Sequence, residues 1–237
     1  MSISVHRSLD RGSAEHVWLH TKYSFSFADY YNPKRMGFGV LCVLNEDVIE
    51  PGQGFRAHSH DNMEIVTILL EGSLKHKDSM GNAGIINAGD IQRMSAGTGV
   101  VHEEYNPSAS EKTHLLQVWI YPSKLNIKPG YEQKSFFPKG MKNKLLPVVS
   151  GKKSSETVFI NQDSVFLVGY LDKGVEAHYK LSAKNHGVFV FVINGEIHVG
   201  GESLKTGDSA EITGNRSVKI KAVKKTRAIV IEVPMHL

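Results

Sequence analysis

The chain has few of the features that mark secreted, membrane-spanning or helical proteins. Its 237 residues include one cysteine, Cys42, so no disulfide can form within the chain, as is typical of proteins in a reducing compartment. No apolar run approaches the ~20 residues that a membrane-spanning helix needs. The first residues, MSISVHRSLDRG, lack the apolar centre of a secretory signal. These features predict a cytoplasmic protein without a membrane partner.

Excess positive charge lies in the second part of the chain. Residues 1–138 carry 13 basic and 15 acidic groups, and residues 139–237 carry 15 and 9, within a net charge of +4. Many of the later lysines alternate with apolar residues in SVKIKAVKKTRAIVIEV, as on the solvated face of a strand. Neither aromatic platforms nor a recognition helix accompanies them. The sequence therefore predicts no direct binding of nucleic acid.

Strand patterns prevail, and long stretches with a 3.6-residue apolar period are missing. The strand candidates are short, rich in β-branched and aromatic residues, and bounded by Gly, Pro, Asn or Asp. They are FGVLCVLNEDVIEP, MEIVTILLEG, HLLQVWIYP, VFLVGYL, HGVFVFVING and AIVIEVP. Many short strands separated by turns predict an all-β fold, either a sandwich, a barrel or a jelly roll.

The two halves of the chain resemble each other. RAHSHDNMEIVTILLEGSLKHKDSMGNAGIINAGDI and EAHYKLSAKNHGVFVFVINGEIHVGGESLKTGDSAEI have the same order of strands and turns, which indicates a duplicated module. The Pro-, Gly- and Lys-rich segment 121–153 has the character of a connector. We therefore predict an N-terminal domain at 1–135 and a C-terminal domain at 136–237. In this superposition His60 falls on Lys180, so only the first domain is expected to bind metal.

Two short pairs of residues form the candidate metal site. His58 and His60 are two residues apart, as are His102 and Glu104, and alternate residues of a strand point to the same face. Two strands would thus supply four ligands to one cavity. Glu103 is the alternative carboxylate, but strand parity puts it on the face opposite His102.

Three imidazoles and one carboxylate suit a divalent transition metal ion, whereas Mg or Ca prefers an all-oxygen shell. Iron is our first expectation, and copper, manganese, nickel, cobalt and zinc are alternatives, because affinity favours copper while availability in the cell can favour others. An octahedral ion would keep two positions open. Open positions are typical of a catalytic rather than a structural metal.

Other polar residues near these segments have more than one interpretation. Glu64 could hold an imidazole of the site or lie exposed in a turn. His76 and Asp78 alternate with lysines, so they could face the cavity or lie on the wet face of an edge strand. His114 and Gln117 are further candidates for the pocket lining.

An aromatic-rich segment near the start could form a lid or pack against the outer sheet, and packing is the commoner fate of such residues. Its aromatic residues are Trp18, Tyr23, Phe25, Phe27, Tyr30 and Tyr31. The lone Cys42 lies in VLCVL, which predicts a buried, unreactive thiol.

Two motifs carry a resemblance to the cupin superfamily. GQGFRAHSH at 52–60 matches the opening of the first cupin motif, and GTGVVHEEYN at 97–106 matches the second, although Gly97 stands where that motif has proline. The spacing between Glu64 and Gly72 is also one residue too long for Glu64 to be the usual carboxylate ligand.

Those departures resemble the pirin-like proteins, in which the carboxylate ligand is the Glu two residues after the second-motif His, here Glu104. The resemblance extends over four segments: WLHTKYSFSFADYYNP at 18–33, MGFGVLCVLNEDVI at 36–49, MSAGTGVVHEEYNP at 94–107 and LLQVWIYP at 115–122. It implies two tandem cupin jelly-roll domains, of which the second has lost its metal ligands.

The resemblance implies two functions. Bacterial relatives are linked to quercetin 2,3-dioxygenase activity, which implies a flavonol or other small phenolic substrate, O2 as co-substrate, and Glu104 as ligand and catalytic base. Nuclear relatives are linked to iron-dependent co-regulation, which implies a redox-sensing protein with a protein partner. A sugar or small-molecule isomerase is a third possibility, since cupins host many chemistries.

Overall fold

Two β-sandwich units follow one another along the chain, and each consists of a seven-stranded and a four-stranded sheet. The computed structural model describes residues 2–136 and 138–236. The earlier strands are β1 Ser2–His6, β2 Gly12–Glu15, β3 Leu19–Tyr23, β4 Leu41–Ile49, β5 Gly54–His60, β6 Glu64–Glu71, β7 Ser73–Asp78, β8 Ala83–Asn87, β9 Asp90–Ser95, β10 Val100–Tyr105, β11 Thr113–Ile120 and β12 Gly130–Ser135. A short 3-10 helix, Ser8–Asp10, follows β1.

The later elements begin with the four-residue helix α1, Pro138–Met141. The strands after it are β13 Leu145–Ser150, β14 Val158–Phe159, β15 Val165–Leu171, β16 Glu176–Lys180, β17 His186–Asn194, β18 Glu196–Val199, β19 Glu202–Lys205, β20 Ser209–Thr213, β21 Ser217–Ala222 and β22 Thr226–Pro234. None of the helices in the described residues has the length and apolar character to span a membrane.

Strand order is the same in both units. The first unit has sheets β12-β9-β6-β11-β4-β3-β2 and β5-β10-β7-β8, and the second has β1-β20-β17-β22-β15-β13-β14 and β16-β21-β18-β19. Each position in one list has a counterpart in the other, as expected of a duplicated module. The prediction of an all-β fold with two tandem jelly-roll domains is confirmed.

The first strand pairs across the predicted domain boundary. β1 pairs with β20 of the second unit. It therefore occupies the same edge position in the second unit that β12, which pairs with β9, occupies in the first unit. The domain boundary between residues 135 and 136 stays a prediction, although strand pairing assigns β1, Ser2–His6, to the second unit. The predicted connector 121–153 also contains β12, α1 and β13, so it is more structured than its composition suggests.

The largest apolar core lies between the two seven-stranded sheets and is shared by both units. Alternate residues of β6 divide between two environments: Val66 and Ile68 join this core, while Ile65 and Leu69 face the interior of the first unit. Because β6 is buried on both faces, its sequence is almost continuously apolar. The second unit contributes residues such as Phe189.

Glu64 belongs to this junction between the units. Its carboxylate is fully buried and accepts hydrogen bonds from the Ser95 hydroxyl at 3.0 Å and the Asn161 backbone N–H at 3.0 Å. Strand parity turns Glu64 away from the interior that Ile65 faces. The interpretation of Glu64 as an exposed turn residue is wrong, and its contacts join it to the second unit rather than to an imidazole.

The interiors of the two units differ in polarity. The second interior is packed with aliphatic residues such as Leu167, Val190 and Val230. The first interior contains buried polar side chains, among them Asp47 and Thr67. Buried polar groups destabilise a fold unless they are paired, so this polar layer calls for a functional explanation.

Candidate metal centre

The middle strand of the smaller first-unit sheet organises the site. β10 pairs with β5 on one side and β7 on the other, so His102 lies opposite His58 and also opposite Asp78. Glu104 lies opposite His76. The register between β10 and β5 shifts between His102 and Glu104. Three strands thus bring side chains that are distant in sequence into one interior region.

Three predicted imidazole ligands converge. The ring centroids of His58 and His102 are 4.4 Å apart, those of His58 and His60 are 4.8 Å apart, and those of His60 and His102 are 5.0 Å apart. Their potential ligand atoms all lie within 4.8 Å of one another. His58 donates its Nδ1–H to the Arg56 carbonyl oxygen at 2.7 Å, which leaves Nε2 with a free lone pair.

Glu104 lies in a second, overlapping group of potential ligands. Its carboxylate oxygen lies within 4.8 Å of ligand atoms of His76 and His102, and the side chain is buried, with 3% exposure. Oε2 accepts a hydrogen bond from Gln117 Nε2 at 3.0 Å, while Oε1 has no hydrogen-bond partner among the described residues. Glu103 is half-buried and accepts a hydrogen bond from the Tyr105 hydroxyl. The four predicted ligands therefore share one region through His102, and their action as a single set stays a prediction.

His76 and Asp78 face the interior, so their interpretation as residues on a wet sheet face is wrong. Both are buried, with 0% and 7% exposure. His76 donates its Nε2–H to Asp78 Oδ2 at 3.1 Å, and its Nδ1 lies 3.9 Å from Glu104 Oε1. Asp78 in turn accepts hydrogen bonds from the Asn82 backbone N–H and side-chain amide. This network fixes the ring of His76 beside the candidate ligands.

Electrostatics leave the site in the protonation state that a metal needs. Burial lowers the pKa of His102 to about 4 and that of His60 to about 4, with further lowering by neighbouring imidazoles. Burial acts to raise the pKa of Glu104, but the nearby His76 and His102 outweigh it, so that pKa is lowered. At neutral pH His60 and His102 are therefore neutral and Glu104 is ionised, as metal binding requires. The pKa of His76 beside them is raised, because its contacts with Glu104 and Asp78 outweigh the effect of burial.

Unpaired buried atoms show that these residues fit a metal ion. Four buried atoms have no hydrogen-bond partner in residues 2–136 and 138–236: Nδ1 and Nε2 of His102, Nδ1 of His76 and Oε1 of Glu104. Each such atom costs about 1–3 kcal/mol when nothing compensates it. A cation among them would satisfy several at once, and a nitrogen-rich donor set with one carboxylate suits first-row transition metals.

Aromatic side chains wall one side of the site. Trp119 contacts His60 edge-on at 4.9 Å between centroids, and Phe27 contacts Trp119 at 5.3 Å. Phe25 packs instead in the core between the sheets, at 1% exposure. Packing is therefore the role of Phe25, while Phe27 reaches the wall of the site. His58 and His60 are half-buried, so this end of the site is open to solvent.

The remaining candidates lie elsewhere or are inert. His114 hydrogen-bonds to Glu46 at 3.1 Å and shares the parity of Leu116, which lies in the core between the sheets, so it does not line the pocket. His178 is exposed. Cys42 is buried, and burial raises its pKa to about 11, in agreement with an unreactive thiol.

Comparisons with known proteins agree with this architecture. The Pirin family model matches residues 4–120, and a model described as the quercetinase C-terminal cupin domain matches residues 147–233. The chain is 39% identical over 232 residues to the quercetin 2,3-dioxygenase of Escherichia coli strain K12, covering 98% of this chain and 99% of that protein. It is 36% identical to a pirin-like protein of Caulobacter vibrioides, covering 93% of this chain and 95% of the relative.

Solved structures lead to the same family. The crystal structure of the bacterial pirin YhhW from Escherichia coli in complex with nickel(II) matches with a TM-score of 0.93 and 37% identity, covering 98% of this chain and 99% of that one. A further crystal structure of YhhW also gives 0.93, at 38% identity and 98% coverage of both chains. With two matched domain models and a full-length relative above 30% identity, the chain belongs to the pirin family of the cupin superfamily.

Proposed function

We propose that this chain is a metal-dependent dioxygenase of the quercetin 2,3-dioxygenase type, with a mononuclear centre formed by His58, His60, His102 and Glu104. The observation that carries the proposal is the convergence of three imidazoles beside a buried carboxylate oxygen that has no partner. The substrate would be a flavonol or similar phenolic, and O2 would be the co-substrate. The names of the curated relatives support this substrate class.

The metal would be a divalent first-row ion. The nickel in the Escherichia coli relative supports this class, and the donor set is equally suited to iron, which we place first. When bound, the ion would supply a Lewis-acid centre at which the flavonol oxygens and O2 are brought together. We also place the protein in the cytoplasm, on its single buried thiol.

Each protein group would have a separate task in the reaction. His58, His60 and His102 would hold the ion through neutral imidazole nitrogens. Glu104 Oε1 would accept the proton of the flavonol 3-hydroxyl, since this oxygen is buried and accepts no hydrogen bond from the described residues. Trp119 and Phe27 would pack against a flat aromatic substrate. Cleavage of the C2–C3 and C3–C4 bonds of the flavonol would release C3 with its own oxygen as carbon monoxide, and both atoms of O2 would enter the depside product.

The test combines metal content with oxygen uptake. We expect His60→Ala to lose bound metal and quercetin-dependent O2 consumption together, because one of the three imidazole donors is removed. His114→Ala is the matched control, because His114 lies with Glu46 on the face of the sheet opposite the site. This variant should leave both bound metal and O2 consumption unchanged. Full O2 consumption by a metal-free His60→Ala protein would rule out the proposal. O2 uptake also separates it from an isomerase, which needs no O2.

A further inference from the structure

A row of polar side chains crosses the interior face of the first unit's larger sheet. Asn45, Gln117, Thr67 and Gln92 are register partners on β4, β11, β6 and β9. All four are buried, with 4%, 8%, 0% and 1% exposure respectively. The row therefore lies in the protein interior rather than on a wet face.

The second unit shows that the fold does not require this polarity. On the corresponding strands, Leu167, Val230, Val190 and Ala210 form a comparable row of register partners, and all four belong to the apolar interior cluster. An aliphatic row thus builds the same sheet. Buried amides cost free energy unless they are hydrogen-bonded. Within the part of the chain that the structure describes, Asn45 Oδ1 and Gln92 Oε1 have no hydrogen-bond partner. Stability of the fold therefore does not explain why these four buried positions are polar in the first unit.

Gln117 supplies the connection between this row and the candidate centre. Its Nε2 donates to Glu104 Oε2 at 3.0 Å and lies 3.3 Å from the Thr67 hydroxyl. Its Oε1 accepts a hydrogen bond from the indole Nε1–H of Trp119 at 3.4 Å. Because an indole can only donate, this contact fixes which end of the amide is oxygen, and the N–H2 end must face Glu104.

We propose that Gln117 is a positioning residue that occupies Glu104 Oε2, so that Glu104 presents only Oε1 to the metal and to the substrate proton. This inference rests on the proposed function, in which Glu104 is a ligand and base. An amide hydrogen bond to one carboxylate oxygen takes up one of its lone pairs and favours metal binding through the other oxygen. Neighbouring coordination positions then remain open for substrate and O2, which a two-oxygen mode would restrict.

The experiment compares Gln117→Met with Gln92→Met and Glu104→Gln. Met has nearly the size of Gln but cannot donate a hydrogen bond, and Gln92 lies two strands from Gln117 in the same row. Co(II) is titrated into metal-free protein, and its affinity and visible absorption spectrum are recorded. Turnover of quercetin is then measured with the loaded proteins.

We expect Gln117→Met to weaken Co(II) binding by about 10- to 100-fold, the usual effect of removing a group that orients a ligand. Its Co(II) spectrum should change, and kcat for quercetin should fall with little change in KM. Gln92→Met should match the wild type. If Gln117→Met does not fold, Trp119→Phe replaces it, because it removes the N–H that orients the Gln117 amide. It is compared by Co(II) affinity and spectrum alone, since Trp119 is also assigned to the substrate wall.

The experiment distinguishes failure of the positioning role of Gln117 from failure of the proposed metal centre. If Glu104→Gln changes the Co(II) spectrum but Gln117→Met behaves like Gln92→Met, the positioning role is overturned while the proposed centre stands. If Glu104→Gln itself leaves the spectrum and affinity unchanged, Glu104 is not a ligand. The proposed centre then fails, and the role of Gln117 fails with it.

Discussion

At the scale of a single residue, the imidazole of His102 is buried and must also stay neutral to bind a metal. It has 3% exposure, and neither ring nitrogen forms a hydrogen bond with any residue that the structure describes. Burial lowers its pKa to about 4, so the folded protein keeps the ring neutral where the unfolded chain would begin to protonate it. The ring thus keeps the lone pair that a metal ligand needs, and in return the free energy of unfolding falls as the pH is lowered.

This shift predicts how the stability of the metal-free protein depends on pH. The ring has an ordinary pKa of about 6.5 when unfolded and about 4 when folded, so between these values the unfolded state binds more protons. The free energy of unfolding should therefore fall as the pH is lowered, by about 2 kcal/mol from His102 between pH 7 and pH 5. Urea titrations of the wild type and His102→Gln measure it. Equal pH dependence in both proteins would contradict the account.

The sequence predicts on which face of a strand a residue lies, but it does not predict which residues from other strands it contacts. The choice of Glu104 over Glu103 for the interior followed from alternation along one strand and agrees with the burial of Glu104. The inward direction of His76 and Asp78 depends on the pairing of β7 with β10, a long-range register that no local pattern contains. Gln117 was named only as a candidate, because a polar residue in an apolar strand does not reveal what it contacts.

At the scale of the element, the close approach of β5 to β10 sets the geometry of the site. A Cβ atom on Gly54 would lie 2.2 Å from the Glu104 carbonyl oxygen and 2.4 Å from the Tyr105 Cα. Both contacts are with backbone, which cannot move aside like a side-chain end. Only glycine allows β5 to lie at this distance, and β5 carries His58 and His60.

Gly54→Ala should therefore separate the two strands and disturb the metal site. We expect a loss of about 1–3 kcal/mol in the free energy of unfolding, the usual cost of overpacking, together with lower bound metal per chain. Gly84→Ala in the same sheet is the control, because nothing lies within 4 Å of its added Cβ. Thermal unfolding and elemental analysis measure both effects. A Gly54→Ala protein with normal stability and metal content would contradict the role assigned to this contact.

Central strands were easier to predict than edge strands. The apolar segment MEIVTILLEG contains β6, which is buried on both faces and therefore has an unmistakable pattern. The edge strands β1 and β12, SISVH and GYEQKS, are partly exposed and polar, so their sequences resemble loops. Their strand character comes from pairing with β20 and β9, which local sequence does not specify.

At the scale of the whole molecule, the two units are joined by a shared core rather than by a flexible linker. Phe189 of the second unit lies 5.6 Å from Phe25 and 6.3 Å from Phe38 of the first, between ring centroids. Glu64 and Asn161 add partly buried hydrogen bonds across the same junction. Duplication was visible in the sequence, but periodicity indicates only that a face is buried and not what covers it.

Phe189→Ala should weaken both units together. We expect the free energy of unfolding to fall by about 3–5 kcal/mol, as for other large core truncations, because Phe189 is fully buried in the core shared by both units. Tyr31→Ala is the control, since Tyr31 is 72% exposed. Urea unfolding followed by tryptophan fluorescence, which reports on the first unit, measures the change. An unaltered fluorescence transition in Phe189→Ala would show that the units are independent in stability.

The central claim is that one metal ion is held by His58, His60, His102 and Glu104. Anomalous diffraction from crystals of the iron- or nickel-loaded protein tests it most directly. The account predicts a single peak about 2.0–2.2 Å from one nitrogen of each imidazole and from Glu104 Oε1, with His76 and Gln117 outside bonding distance. A peak bound by His76, with His58 and His60 beyond reach, or a peak remote from all four side chains, would contradict it.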